Sequence, residues 1–165
     1  MTTQPVKSTT RSGLISAIAF VGVALGVGAL GGLATASSVT TWYLGLNKPA
    51  FNPPNAVFGP VWTILYILMA VAAWRVWRRA RRSGLWSALT LYAAQLVLNL
   101  AWSLIFFGLR QPAWALGEVV VLLSGVVMTA VVFWRIDRLS GLMMIPYAVW
   151  VAFAAVLNLE IWRLN

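Results

Sequence analysis

Glu118, Asp137 and Glu160 are the only carboxylate side chains in a chain of 165 residues that has no histidine and no cysteine. That stock leaves little for bond-making chemistry. Without Cys or His there is no thiol nucleophile, no disulfide, no zinc site of the usual kind and no Ser-His-Asp arrangement. The three acids fall in different segments, so a paired-carboxylate hydrolase finds no second acid. Aromatic and amide side chains are the abundant chemistry instead. Gln95, Asn99 and Trp102 are spaced by four and three residues; Tyr147, Trp150, Ala154 and Asn158 by three, four and four. Each set lies on one face of a helix. Rings and amides on facing helices describe a mostly aromatic pocket with a few polar groups.

The elements that must carry these faces follow from composition. The chain is 61% hydrophobic and 9% charged, with a mean hydropathy of +0.86. Soluble domains carry about a quarter charged residues. A spanning helix needs about 20 mostly apolar residues, and five stretches qualify: 14–36, 57–74, 85–107, 114–134 and 139–162. The expected fold is an all-α integral membrane protein, a five-transmembrane-helix bundle whose long first loop caps a pocket. A short cytoplasmic tail over 1–13 precedes a single membrane domain over 14–163. The first span resembles a signal peptide at Ala34-Thr35-Ala36, but its apolar run exceeds the usual core of about 7–15 residues, so it is read as a retained helix.

Charge sets the orientation. Lys7, Arg11, Arg75, Arg78, Arg79, Arg81, Arg82, Arg135 and Arg138 fall on the N-terminal side, against Lys48, Arg110 and Arg163 on the other. The positive-inside rule puts the N-terminus in the cytoplasm. The net charge of +9 and the run "RVWRRARR" are read as a cytoplasmic anchor rather than a nucleic-acid patch. A basic, cysteine-free chain suits a bacterial inner membrane, with an outer membrane as the alternative. Gly22 with Gly26, and Gly28 with Gly32, form two small-xxx-small pairs, which serve bundle packing or dimerisation.

Depth then separates the tryptophans. Trp42, Trp74, Trp77, Trp86, Trp114, Trp134 and Trp162 fall at span ends, where indoles anchor at the interface. Trp62, Trp102 and Trp150 lie within spans. Trp62 sits about a turn and a half below the outer surface, level with Gln95, Asn99, Trp102, Tyr147, Trp150 and Asn158. Polar groups in hydrocarbon face a bundle interior or a cavity, so these residues, with Glu118, are expected to point inward around an aromatic pocket. Above it lies the loop over about 37–56, longer than the others and so a candidate lid. Pro53 and Pro54 stiffen the approach to the second helix, and Asn52 or Asn55 is expected to cap it.

Three blocks, "WYLGLNKPAFNPPNAVFGPVWTILYILM", "YAAQLVLNLAWSLIFFGLRQPAWAL" and "IPYAVWVAFAAVLNLEIW", resemble the signatures of the TspO/MBR family of tryptophan-rich sensory proteins and translocator proteins, also known as peripheral benzodiazepine receptors. The resemblance covers residues 14–163. It implies a five-helix membrane protein, usually dimeric, with a pocket beneath the first loop for porphyrins, haem and other planar hydrophobic ligands. It assigns the pocket's two tryptophans to Trp62 and Trp150, an asparagine to Asn99 and a small residue to Ala154. Tyr66, Gln95, Trp102, Tyr147 and Asn158 complete the expected ligand-binding set, and Lys48, Pro49, Phe51, Asn52, Pro53 and Pro54 form the lid and entrance. Phe51 and Ala56 stand where family members often carry tryptophan. The central tyrosine of the sterol motif in animal members is absent, Leu159 and Glu160 occupying that stretch.

Three functions follow as expectations. The leading one is tetrapyrrole binding for sensing, transport or disposal, with porphyrin or haem as a ligand, no obligatory cofactor and no metal. The second is light- and oxygen-dependent porphyrin degradation, for which the resemblance implicates Trp62 and Trp150. The third is proton-coupled transport, for which Glu118 and Glu160 are the intramembrane acids, although no internal repeat is evident. Expected partners are the lipid bilayer and a second copy of the chain, with no nucleic acid.

Overall fold

A computed structural model of the protein describes residues 8–165. Among them are five long helices and no strand: α1 (Ser8–Val39), α2 (Asn55–Arg79), α3 (Arg82–Ser103), α4 (Pro112–Ile136) and α5 (Arg138–Leu164). Every one contains a segment long and apolar enough to cross a membrane, in agreement with the expected all-α bundle. The boundaries run beyond the apolar stretches. α1 begins at Ser8, so residues 8–13 of the expected tail are helical, while Lys7 lies outside the described residues, as do the side chains of Arg11 and Arg82. α2 continues through Arg75, Arg78 and Arg79, because arginines near a helix end keep their heads in the polar layer without breaking the backbone ladder.

Helix ends follow local chemistry. Pro112 opens α4, where its missing N–H costs nothing. Asp137 caps α5: its carboxylate accepts from the Ser140 backbone N–H at 3.2 Å and from the Ser140 hydroxyl at 2.5 Å. The start of α2 departs from expectation. Pro54 occupies the cap position and no side chain caps the helix. Asn55 is its first residue, and Asn52 is engaged elsewhere. α3 ends in a π-helical turn over Leu104–Gly108, a one-residue widening of the ladder that often marks functional sites. Ser38 of α1 braces it, donating to the Phe107 carbonyl at 2.6 Å.

α4 packs most extensively on α5, and α1 lies against α2 and α3. The main core sits between α2, α3, α4 and α5 around Met69, Leu122, Val126, Phe133 and Met144. A smaller outer core joins Tyr43, Phe106, Ala115, Leu157 and Ile161. Of the four glycines in the two pairs on α1, only Gly28 is a packing position. A Cβ there would meet the Tyr66 ring at 2.6 Å, whereas Gly22, Gly26 and Gly32 have nothing within 4 Å. Gly31 is the second contact, against Ser103. Trp74 is more than an interface anchor, since its indole N–H reaches both the Gly13 carbonyl and the Ser16 hydroxyl at 3.1 Å and ties α1 to α2.

Asp137 also joins the elements at the opposite end from the first loop. It takes Arg75 Nε at 2.9 Å and Arg79 Nη1 at 2.8 Å, clamping the end of α2 to the α4–α5 junction. Burial pushes its carboxyl upward, but the hydrogen bonds from Ser140 and Arg75 and the charges of Arg75 and Arg79 outweigh that and hold it near 2.

Candidate functional site

Beneath the first loop, α1, α2, the outer part of α3 with its π turn, and α5 surround a cavity of about 530 Å³, within the range of small-molecule sites. Trp62, Tyr66, Asn99, Trp102, Trp150, Ala154 and Asn158 line it. The helical spacings that selected them explain this, because each set shares the face turned toward the other helices.

The rings form three groups. Trp62 lies 5.8 Å from Tyr66 and 6.2 Å from Tyr147, centroid to centroid. Trp150 lies 6.0 Å from Phe58 and 5.4 Å from Phe153. Trp102 stacks on Phe106 at 5.2 Å, and Phe106 in turn meets Phe107 at 4.8 Å. The π turn therefore supplies two aromatic wall residues that a regular helix would have rotated differently.

Beneath these rings the amides are spent on holding the walls in place. Tyr66 donates its hydroxyl to Asn99 Oδ1, and Asn99 Nδ2 donates to the Tyr147 hydroxyl at 3.0 Å. Trp102 Nε1 donates to Asn158 Oδ1 at 3.3 Å, and Asn158 Nδ2 donates to the Pro112 carbonyl at 2.7 Å. Three helices are thus pinned through Asn99, and the π-turn region is tied to α5 and the start of α4 through Asn158.

Two expected pocket residues do not line the cavity. Tyr147 is fully buried behind Trp62, where it supports the ring and Asn99. Gln95 lies about one turn deeper on α3, fully buried, its amide 3.8 Å from the Met69 sulfur. Both share the polar face; depth removes Gln95 and the intervening indole removes Tyr147. Glu118 also lies off the cavity, as α4 contributes nothing to the lining. Its two carboxylate oxygens are buried in the bundle without a hydrogen-bond partner among the described residues.

The loop residues form a braced cap rather than a lining. Tyr43 donates to Asn52 Oδ1 at 2.7 Å; burial raises its phenol to about 12 against the smaller downward pull of that bond, so it remains a donor. Lys48 bends back onto the loop, donating to the Leu44 and Leu46 carbonyls at 3.3 and 2.9 Å with its ammonium 4.9 Å from the Tyr43 ring centre. Phe51 packs on Phe153 at 6.2 Å, one ring out from the cavity. Pro49, Pro53 and Pro54 are likewise off the lining, to which the loop and its two ends contribute Val39, Tyr43 and Asn55. Asn165 fixes the loop's base, accepting from the Asn47 backbone N–H and donating to its carbonyl, both at 3.0 Å.

Sequence reasoning missed the α1 wall, formed by Gly28, Gly31, Gly32, Thr35 and Ala36, and the rings of Phe58, Phe106, Phe107 and Phe153. A signal existed for some: Phe58 precedes Trp62 by four residues and Phe153 follows Trp150 by three. The small residues of α1 follow the same helical spacing. Gly32 and Ala36 of α1 and Gly59 and Thr63 of α2 are both lining and exposed, so the cavity opens between these two helices.

A bundle of five helices, each long and apolar enough to span a membrane, around a ring-lined, loop-capped cavity defines a multi-pass integral membrane protein. Comparison with known sequences gives the family. The profile of the TspO/MBR family matches residues 20–163. Tryptophan-rich protein TspO of Archaeoglobus fulgidus is 37% identical over 155 residues, 92% of this chain and 98% of that protein. Protein CrtK of Rhodobacter capsulatus is 44% identical over 125 residues, covering 75% and 78%. Translocator protein of Homo sapiens is 39% identical over 128 residues, covering 75% of each. The chain belongs to the TspO/MBR family.

Proposed function

We propose that the protein binds tetrapyrroles, free porphyrin at least as well as haem, in the cavity beneath the first loop for sensing, transport or disposal. The observation that carries this reading is the pair Trp62 and Trp150 with their ring neighbours around a cavity of about 530 Å³. Each aromatic contact with a planar ligand contributes about 0.5–1.5 kcal/mol beyond area burial. With no His or Cys in the chain, the commonest axial ligands for haem iron are lacking, which supports free porphyrin binding at least as well as haem. Porphyrin absorbance titration checks this: Trp62→Ala and Trp150→Ala should each weaken binding about tenfold, and unchanged affinity in both sinks the assignment.

Two further readings rest on separate observations. The contacts of Trp62 with Tyr66 and Tyr147 form a short run of oxidisable rings, which favours light-driven oxidation of bound porphyrin by oxygen. Products identical to those of free porphyrin in illuminated detergent would count against it. The buried, unpartnered Glu118 carboxylate favours proton-coupled transport, and liposome flux that ignores Glu118→Gln would remove that role. The reading also takes the protein as a homodimer in a bacterial inner membrane with its N-terminus in the cytoplasm. Accessibility labelling of single cysteines at the two ends, together with the mass of the detergent-solubilised particle, tests both points.

A further inference from the structure

We propose that the end of the bundle opposite the first loop is a binding surface for acidic phospholipid headgroups, with Arg78, Arg81, Arg135 and Arg138 holding the lipid phosphates. The Asp137 clamp builds this surface. Asp137 pairs with Arg75 and Arg79 of α2, which draws the α2–α3 turn and its Arg81 against the α4–α5 junction with Arg135 and Arg138. The clamp also consumes the one acid of this end. Of the other two carboxylate side chains in the chain, Glu160 pairs with Arg163 and Glu118 lies in the half of α4 remote from Arg135. Arg78, Arg81, Arg135 and Arg138 are exposed, and no carboxylate is left to neutralise them. At the loop end, Lys48 is folded onto the Leu44 and Leu46 carbonyls and Arg163 has Glu160, so the excess belongs to one face. Cations crowded there repel one another, and only anions from outside the chain relieve this.

The neighbouring side chains favour a lipid over a soluble anion. Trp77, Trp86 and Trp134 expose their indoles at the same end, the level at which such rings settle among headgroups. Leu14 and Ile18 of α1 and Leu142 of α5 are exposed just inside it, and in a bilayer they face acyl chains. One headgroup position is held ready. Trp74 is fixed by its bonds to the Gly13 carbonyl and the Ser16 hydroxyl, and the Arg78 guanidinium lies 5.0 Å from the centre of that ring. This places a cation at the seam between α1 and α2 with little side-chain freedom left to lose on binding. A guanidinium fork bonds phosphate oxygens in pairs. A phosphatidylglycerol headgroup brings the net negative charge that this face lacks, whereas a zwitterionic headgroup does not.

Spin-labelled phosphatidylglycerol and phosphatidylcholine, each at trace level in phosphatidylcholine vesicles that hold the full chain, test the surface. Lipid is present on both sides of the vesicle wall, so the direction of insertion plays no part. The motionally restricted fraction should show phosphatidylglycerol associating about fivefold more strongly than phosphatidylcholine, and the preference should shrink as salt rises from about 0.02 to 0.5 M. Replacing Arg78, Arg81, Arg135 and Arg138 together by Gln should abolish the preference, whereas replacing all four by Lys should keep most of it. The smaller change of Arg81→Gln with Arg135→Gln spares Arg78 and the Asp137 clamp, and should lower the preference about twofold. Arg110→Gln, at the other end, should leave it unchanged. Equal association of the two lipids with the parent protein overturns the proposal, as does a preference that survives in the fourfold Gln variant. Displacement of the labelled phosphatidylglycerol by inorganic phosphate or polyglutamate at matched charge would assign the face to a soluble anion and overturn it as well. None of these measurements involves the cavity, so the tetrapyrrole reading stands or falls separately.

Discussion

Asn99 holds two phenols at once, accepting from Tyr66 and donating to Tyr147, and it does so between the cavity and the main core. Each buried polar group stripped of its partner costs about 1–3 kcal/mol. Asn99→Leu should therefore destabilise the protein by about 2 kcal/mol or more, and a Tyr66→Phe change in that background should recover part of the loss. Thermal unfolding in detergent measures both, and an Asn99→Leu protein as stable as the parent would remove the bridge from the account. The spacing of Gln95, Asn99 and Trp102 made this face legible in the sequence. Their separate roles were not legible, because spacing fixes angle around a helix but not which neighbour stands opposite.

Close approach of α1 and α2 depends on Gly28, where a Cβ would meet Tyr66 at 2.6 Å, whereas Gly22 and Gly26 face open space. Gly28→Leu should displace Tyr66, lower stability by about 1–3 kcal/mol and weaken ligand binding at the adjoining wall. Gly22→Leu should leave the melting temperature of the solubilised protein nearly unchanged. Equal effects at the two positions would mean that the contact is not what holds the helices. At the other end, the Asp137 clamp predicts a pH dependence. Its folded carboxyl sits near 2, below the ordinary 3.8, so the clamp's contribution is complete above about pH 4 and disappears as pH falls through about 2. Asp137→Asn keeps a capping side chain yet loses the ion pairs; it should cost about 2 kcal/mol and flatten stability between pH 4 and 2. A variant whose acid unfolding curve overlays the parent's contradicts this.

On the scale of the whole molecule, hydrogen bonds of Asn47 join the first loop to the far end of the chain, one of them from its Nδ2 to the Leu164 carbonyl at 3.3 Å. Asn165 bonds both backbone groups of Asn47 at 3.0 Å and also donates to the Ile161 carbonyl at 2.8 Å. Asn165→Ala should speed amide exchange at Asn47 by severalfold while leaving global stability within about 0.5 kcal/mol. Exchange unchanged at Asn47 would show that the Asn165 bonds do not hold the loop. The sequence distance between these two asparagines explains why no reading of local pattern finds the contact.

The sequence by itself determined the five spans, because about 20 apolar residues in a row admit no other element in a bilayer, and it determined which helix faces carry rings and amides, because the helical period is fixed. It also determined the absence of thiol and imidazole chemistry, from composition alone. Only the tertiary structure decided that Trp62 and Trp150 line the cavity while Gln95 and Tyr147 stand off it. It likewise decided that the small residues of α1 form a wall and that Lys48 turns back onto its own loop. Those outcomes depend on helix depth, on the π turn after α3 and on which group reaches a partner first. They are relations between segments far apart in sequence, and a one-dimensional pattern does not contain them.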